Sequence, residues 1–139
     1  MTTIPDQLRA LIDSGPLAHV STINADGSPQ VTVVWVGLDG DRLYSAHMHE
    51  SVKVRNMRRD PRAVISMQGP RVPGRFLDEY AVLRVRATVT EGGAWEALDR
   101  LTKTYVGPDT TFPAPRAEGG FVVHYDVERI GGVGPWVAG

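Results

Sequence analysis

The segment YAVLRVRATVT, residues 80–90, alternates between apolar and polar side chains along nearly its whole length. Side chains of a β-strand point alternately to opposite faces, so this period of two predicts a long strand with one buried face. The apolar face carries Leu83, Val85, Ala87 and Val89, and the polar face carries Arg84, Arg86, Thr88 and Thr90. A chain with such a strand must build a sheet that packs one face and leaves the other accessible.

Other β-rich runs share this character. LAHVSTIN and PQVTVVWVG are separated by ADGS, which is a hairpin signal, and LDGD is a second tight turn that leads into RLYSAH. We therefore predict a three-stranded meander here, followed by strands at RAVISMQG, YAVLRVRATVTEG and FVVHYDVERIGGV. Six short strands joined mostly by tight turns predict a small antiparallel barrel. VTVVWVG is apolar on both faces, so its outer face is expected to meet a helix or another subunit.

Three helices are predicted between these strands. The first is IPDQLRALIDSG, with Asp6 as its cap and Leu8, Leu11 and Ile12 on one side. The second runs from a Ser51 cap to about Arg59 and ends at Asp60-Pro61, because a residue before proline avoids the helical region. The third is AWEALDRLTKTYV, with Trp95, Leu98, Leu101 and Tyr105 on its apolar stripe. Two loops follow helices or strands, at PRVPGRFLDE and at residues 107–120; the second either shapes substrate access or is disordered.

Composition narrows the possible functions. The 139 residues fit one domain, residues 1–139, with a net charge of −1 and no cysteine. Disulfides and thiolate chemistry are excluded, and a near-neutral chain does not attract nucleic acid or membranes by its overall charge. No apolar run is long enough to span a bilayer. The start, MTTIPDQLRA, lacks the features of a signal peptide, so we expect a cytoplasmic protein.

One segment of this near-neutral chain concentrates positive charge. HMHESVKVRNMRRDPR, residues 47–62, contains five positive side chains and two histidines. His47 and His49 alone do not complete a metal site, and no aromatic residues accompany the arginines to stack on bases. A third interpretation is phosphate binding, because Ser51 would place Lys53 in the first turn of a helix, where free N–H groups attract an anion. A helix that merely exposes its arginines remains possible as well.

At this point the sequence resembles a known family. The pattern S-x-K-x-x-N-x-x-x-D-P-R, from Ser51 to Arg62, looks like the phosphate-binding segment of the pyridoxamine 5′-phosphate oxidase-like split β-barrel proteins. HVSTINADGSPQVTVVWV resembles their first hairpin, and GDRLYSAHM resembles the third strand before the helix. The resemblance implies a mainly β fold, a split, FMN-binding-like β-barrel with flanking helices. It also implies a homodimer with the cofactor at the subunit interface, bound by both subunits.

The family includes FMN-dependent oxidases, non-catalytic flavin binders and reductases that use coenzyme F420, a 5-deazaflavin. VKVRNMRRDPR looks most like the F420-using branch, which implies an oxidoreductase that transfers hydride to a small conjugated or heteroaromatic substrate, with FMN as the alternative cofactor. The arginine segment that binds substrate in true pyridoxamine 5′-phosphate oxidases is missing, so vitamin B6 oxidation is not expected.

The resemblance also implies which residues bind the cofactor. Lys53 would hold its phosphate, with Ser51 and Arg55 beside it, while Asn56 either binds the cofactor or braces the helix. The ring would lie near Gln30 and Thr32 on the second strand and near Ser45, Ala46 and His47 on the third. No metal is implied. His47, His49, Tyr80 or water are open as proton donors, so no catalytic residue is assigned. Trp35 is expected in an interface or the core, and Trp136 either covers a partner's site or lies in a flexible tail.

Overall fold

The computed structural model describes residues 2–137, which form seven strands and three helices. The strands are β1 (Ala18–Ile23), β2 (Pro29–Val34), β3 (Gly37–Asp39), β4 (Arg42–His47), β5 (Arg62–Gln68), β6 (Tyr80–Glu91) and β7 (Phe121–Val133). The helices are α1 (Asp6–Asp13), α2 (Val52–Arg59) and α3 (Ala94–Tyr105). The mainly β architecture with flanking helices is confirmed. The end of the predicted tail, Ala138 and Gly139, lies outside the described residues.

All seven strands belong to one antiparallel sheet in the order β2-β1-β5-β6-β7-β4-β3. Its two edge strands, β2 and β3, are neighbours in the chain and are joined only by Trp35 and Val36. Consecutive Cα atoms are about 3.8 Å apart, so the two edges lie within roughly 11 Å of each other at this point. The sheet must therefore curl into a barrel. Among the strand pairings of residues 2–137, none joins β2 to β3 or β4, so the barrel is split along this seam.

The predicted three-stranded meander is wrong. PQVTVVWVG does not form one strand but two, β2 and β3, which lie on opposite edges of the sheet, and this raises the strand count from six to seven. β4 pairs with β7, far along the chain, rather than with β2. The physical reason is that one continuous strand cannot belong to both edges of a curling sheet, so the chain leaves the β2 ladder at Trp35 and Val36.

The barrel interior is filled by the inward face of the long strands. The predicted alternation of β6 is confirmed: Leu83, Val85 and Ala87 are buried, while Arg84 and Arg86 are exposed. The other buried members of this cluster include Leu8, Ile12, Val20, Leu43, Met57, Ile65, Tyr125 and Val127. Trp136 belongs to the same cluster and is only 7% exposed, so it packs in the core of its own chain. The prediction of a flexible tail at Trp136 is therefore wrong.

The helices close the ends and one side of the barrel. α1 buries Leu8, Leu11 and Ile12 as predicted, but Pro5 is its N-cap residue and Asp6 is already helical. α3 packs on the outer side of β4 through a stripe displaced from the predicted one: Ala94, Ala97, Leu101 and Thr102 are buried, while Trp95, Leu98 and Tyr105 are half-buried. α2 ends at Arg59, before Asp60-Pro61, as the proline predicted.

Candidate functional site

A cleft of about 290 Å³ opens where the barrel is split, and we call it the seam cleft. Its lining residues come from β2, β4, α2, α3 and the segment before β1: Leu17, Val33, Val34, Trp35, Ala46, His47, Lys53 and Leu98. Three residues predicted to bind the cofactor, Ala46, His47 and Lys53, therefore lie together. A larger cleft beside α1, of about 670 Å³, has no positively charged lining residue, and so does not suit an anion.

Lys53 is the charged group of this cleft. It is the second residue of α2, whose first turn contains no acidic residue, and it forms no salt bridge within residues 2–137. Burial lowers the pKa of its ammonium group. A half-buried positive charge without a carboxylate, next to free N–H groups of a helix N-terminus, is an arrangement that attracts a bound anion.

The arginines of the basic run are engaged elsewhere. Arg58 forms salt bridges with Glu50 at 2.6 Å and Glu91 at 3.2 Å, and Arg62 binds Asp60 at 2.8 Å. Arg59 donates to the carbonyl of Ile23. Arg55, one of the predicted cofactor residues, is exposed and makes only a 3.4 Å contact with the Glu50 carbonyl. Most of the positive charge of this run is thus used by the fold, which leaves Lys53 available for a ligand.

Two buried hydroxyl groups lack a hydrogen-bond partner within residues 2–137. Ser51 occupies the N-cap position of α2 as predicted, but its side chain makes no capping hydrogen bond, and its Oγ is buried without any partner. Thr32 Oγ1 on β2 is also buried and makes no hydrogen bond within residues 2–137. A buried polar group that makes no hydrogen bond costs about 1–3 kcal/mol, so such groups are usually satisfied by water or a ligand. Both residues belong to the predicted cofactor site, and the donor set therefore fits a group with phosphate and carbonyl oxygens.

His47 stands at the inner end of the seam cleft, backed by two buried hydroxyl groups. Ser45 Oγ lies 2.8 Å from His47 Nε2 and 2.7 Å from the hydroxyl of Tyr125 on β7. Burial, with a further contribution from the charge of Lys53, lowers the pKa of His47 to about 4. Burial also raises the pKa of Tyr125 above its ordinary value. His47 is thus neutral at physiological pH and held by strands distant in sequence.

Gln30 and Asn56 are not among the lining residues of the seam cleft, and hydrogen bonds link them to each other through Thr22. The buried Asn56 amide donates to Thr22 Oγ1 at 3.0 Å and to Asn24 Oδ1 at 2.9 Å, and Thr22 donates to Gln30 Oε1 at 3.2 Å. This network ties α2 to the β1–β2 hairpin and fixes the position of Lys53, three residues before Asn56. Both hydrogens of the Asn56 amide are used within the protein.

The apolar wall of the cleft was not assigned from sequence. Trp35, expected in a core or an interface, lines the cleft and stacks on Tyr105 of α3 with ring centroids 5.1 Å apart. The Tyr105 hydroxyl donates to the carbonyl of Pro16 at 2.6 Å and accepts the N–H of Val36 at 3.0 Å, which fixes the crossing between the two sheet edges. The only sequence signal was the aromatic residue where the alternation of β2 stops. Leu98 of α3 carried no such signal.

The geometry does not support a metal centre in the basic run. Within the described part of the chain, no three His, Asp or Glu side chains are grouped as metal ligands. No helix of residues 2–137 is long and apolar enough to cross a membrane.

The loop at 107–120 packs on α3, where the Trp95 indole donates to the carbonyl of Ala114 at 2.9 Å. The lining of the seam cleft contains none of the residues of this loop.

Comparisons with known proteins agree with this geometry. An F420 reductase superposes with a TM-score of 0.75 at 24% identity, covering 92% of this chain and 98% of the other. The conserved hypothetical protein Rv2991 from Mycobacterium tuberculosis gives a TM-score of 0.70 at 19% identity, covering 94% and 84%. A heme binding protein from Mycobacterium smegmatis gives 0.65 at 24% identity, covering 90% of this chain and 51% of the other. These likenesses establish the shared split-barrel fold.

A search of curated proteins by sequence found no match. The sequence model of the family described as pyridoxamine 5′-phosphate oxidase matches residues 4–133, which is nearly the whole chain and includes every lining residue of the seam cleft. Fold, motif order and family match agree, and the chain belongs to the pyridoxamine 5′-phosphate oxidase family.

Proposed function

We propose that this protein is an F420H2-dependent reductase that binds the deazaflavin coenzyme in the seam cleft and reduces a small conjugated or heteroaromatic substrate. The observation that carries the proposal is the Lys53 ammonium in the first turn of α2, two residues after the Ser51 hydroxyl; within residues 2–137 the ammonium forms no salt bridge and the hydroxyl no hydrogen bond. Both groups suit a phosphate. The fold shared with an F420 reductase at 24% identity adds support for this branch of the family.

The residues divide into two roles in this proposal. Lys53, Ser51 and the N–H groups of α2 bind the phosphate, with charge-assisted hydrogen bonds of about 1.5–3 kcal/mol each. Thr32, Gln30 and the end of β4 lie on the side where the ring binds. Trp35 and Leu98 give that side an apolar wall that excludes water. When bound, the reduced deazaflavin supplies a hydride from C5, and the protein supplies orientation and electrostatics.

The seam cleft of one chain is small for such a cofactor. Ligand sites of this kind usually measure about 300–1,000 Å³, and the seam cleft has about 290 Å³. Its outer lip is formed by Leu17 and Val33, which are 60% and 53% exposed. A second copy of the chain placed over this lip would enlarge and cover the site. We therefore include a homodimer in the proposal.

Exposed valines continue from this lip across the outer face of the sheet, between polar side chains. The strand registers place Val33, His19, Ser66 and Val82 in one row and Val31, Ser21, Val64 and Arg84 in the next. Val31 is 59% exposed and Val64 is 37% exposed. β-Branched side chains on an exposed sheet face adjoining a ligand cleft form the kind of patch that a partner subunit covers.

Binding titrations test the cofactor assignment. Purified protein is titrated with F420, FMN and heme, since related folds bind different groups, and F420 is expected to bind most tightly. Lys53→Ala should weaken F420 binding by about 1.5–3 kcal/mol, which is roughly 10- to 150-fold. Lys103→Ala is the matched control, because Lys103 is the only other lysine and pairs with Asp99 on α3. Equal F420 affinity for Lys53→Ala and wild type would remove Lys53 from the site, and tighter FMN binding would favour FMN as the cofactor.

A second measurement separates a reductase from a cofactor carrier. Reduced F420 is mixed with the protein and a panel of enones and biliverdin-like tetrapyrroles. Recovery of the absorbance of oxidised F420, at a rate that depends on protein and substrate, is expected for a reductase. Tight F420 binding without recovery on any member of the panel would instead support a non-catalytic F420-binding protein.

A further inference from the structure

The hydroxyl groups of Tyr125 and Ser45 form a row of hydrogen bonds with His47 that runs from the core to the seam cleft. Tyr125 and Ser45 are both 0% exposed, and their hydroxyl oxygens are 2.7 Å apart. Ser45 Oγ also contacts His47 Nε2 at 2.8 Å. Within residues 2–137, the Tyr125 hydroxyl has no other hydrogen-bond partner. The hydroxyl hydrogens of Tyr125 and Ser45 must therefore find their acceptors among Tyr125, Ser45 and His47.

Only one arrangement of those hydrogens satisfies all of them. If Tyr125 donates to Ser45 and Ser45 donates to His47 Nε2, each buried hydroxyl hydrogen has an acceptor. If His47 Nε2 carries a hydrogen and donates to Ser45, then either the Tyr125 or the Ser45 hydrogen is left without an acceptor. Such unsatisfied buried hydrogens are strongly disfavoured, and tautomers are assigned from networks of this kind. His47 Nε2 is thus the acceptor, and the hydrogen of the neutral ring lies on Nδ1.

The Nδ1 atom has no competing use in the protein. It makes no hydrogen bond within the described residues, and it is absent from the small set of buried polar atoms without partners, so a ligand or solvent can reach it. His47 lines the seam cleft together with Lys53. The burial that lowers the pKa of His47 keeps the ring neutral, so that it has one donor and one acceptor nitrogen.

We infer that Ser45, which is held by the Tyr125 hydroxyl, is a positioning residue that keeps His47 as its Nδ1–H tautomer, so that the seam cleft presents a fixed neutral donor beside the Lys53 ammonium. Such a donor recognises an acceptor atom, such as a ring carbonyl oxygen, and disfavours a ligand group that is itself a donor or a cation. The tautomer follows from the protein alone. The ligand contact deepens the proposed function and rests on it.

Nitrogen NMR of the ligand-free protein, labelled with ¹⁵N-histidine, tests the tautomer at pH 7.5. His47→Gln assigns the signals. His47 is expected to show a hydrogen-free Nε2 and a protonated Nδ1. His124 is an internal reference of the opposite kind, because its Nε2 lies 2.9 Å from the Asp39 carboxylate and must carry the hydrogen. A protonated Nε2 on a neutral His47 would overturn the inference.

Two variants test whether the hydroxyl chain sets the tautomer. Ser45→Ala should shift His47 toward a mixture containing the Nε2–H form. Tyr125→Phe should keep the Nδ1–H form, because the Ser45 hydrogen then has His47 Nε2 as its only acceptor. The His124 signals should stay unchanged in both variants. Folding is checked by circular dichroism, and if one variant does not fold, the other and the wild-type spectrum still decide. An unchanged His47 tautomer in folded Ser45→Ala, or a changed tautomer in folded Tyr125→Phe, would contradict this account of the hydrogen bonds.

The ligand contact is tested by adding F420 to the labelled wild-type protein. A shift of the His47 Nδ1 resonance, larger than that of His49 or His124, is expected if Nδ1–H donates to the coenzyme. F420 that binds without moving this resonance would overturn the contact. F420 that does not bind at all would overturn the proposed function and with it the contact, whereas the tautomer measured without ligand would stand.

Discussion

His47 also provides a pH test at the scale of a single residue. Its pKa falls from 6.5 to about 4 on folding, because burial and the neighbouring Lys53 charge disfavour the imidazolium. Above pH 6.5 both folded and unfolded forms are neutral, so the residue has no effect on stability. As pH falls from 6.5 to 4 the unfolded chain gains the proton first, and the free energy of unfolding should drop by about 2–3 kcal/mol.

Urea unfolding at pH 7.5 and pH 4.5 measures this loss. His47→Gln should remove most of it, whereas His49→Gln, at an exposed position two residues away, should retain it. The carboxylates with lowered pKa, such as Asp60 at about 2, lose their contribution only below about pH 4, and so do not mimic the effect. The same loss of stability between pH 7.5 and 4.5 in both variants would show that His47 is not the group responsible.

Single residues also mark how far the sequence could predict the site. The position of Lys53 in the first turn of α2 was predicted correctly, because helix boundaries are local properties that follow from Ser51 and Asp60-Pro61. The contact of Tyr125 with the site was not predicted, because Tyr125 lies 80 residues from Ser45 and meets it only through the register of β4 with β7. A tyrosine in an alternating strand is predicted to be a core residue, and Tyr125 is indeed buried in the core. Its link to the cleft depends on strand pairing, which no local pattern contains.

At the scale of elements, the Asn56 network holds α2 against the β1–β2 hairpin. Asn56→Ala removes two donors from a buried cluster and leaves the oxygens of Thr22 and Asn24 without that partner. The free energy of unfolding should fall by about 2–3 kcal/mol, measured by urea denaturation. Arg55→Ala, at the exposed neighbouring position, should change it by less than about 0.5 kcal/mol.

The same variant decides between the two roles open for Asn56. If Asn56 braces α2, Asn56→Ala destabilises the protein and displaces Lys53, so both the free energy of unfolding and the F420 affinity should fall. A pure ligand contact would lower affinity and leave stability unchanged, which would contradict the bracing role.

Element boundaries were predicted well where turns or proline set them. β4, β7 and the end of α2 begin or end at the expected residues. The failure at β2 and β3 has a different origin, because the residues PQVTVVWVG are mostly good strand formers. The break at Trp35 and Val36 follows from the curl of the whole sheet, and the Tyr105 hydroxyl stabilises it from α3. Local propensity cannot reveal a constraint imposed by sheet closure.

At the scale of the whole molecule, the split in the barrel and the exposed valines on the outer face of the sheet belong to one surface. The cleft opens at the seam where β2 and β3 do not pair with each other within residues 2–137, and the outer face of β2 continues from its lip. The two-faced apolar pattern of VTVVWVG predicted that this strand would need a cover. On one face of β2, Gln30 and Thr32 are half-buried and Val34 is buried, whereas Val31 and Val33 on the other face are not covered by their own chain.

The proposed homodimer makes this surface testable through Val31→Glu. Val31 is 59% exposed and does not line the cleft, so the variant should fold normally while placing an unpaired carboxylate in the proposed interface. Burying such a charge is costly, and dimer affinity should fall about 100-fold or more, measured by analytical ultracentrifugation. F420 affinity should fall with it if the partner completes the site. Val106→Glu, at a valine that is 61% exposed after α3, is the matched control and should remain dimeric. A wild-type protein that sediments as a stable monomer and still binds F420 tightly would show that one chain suffices for the site.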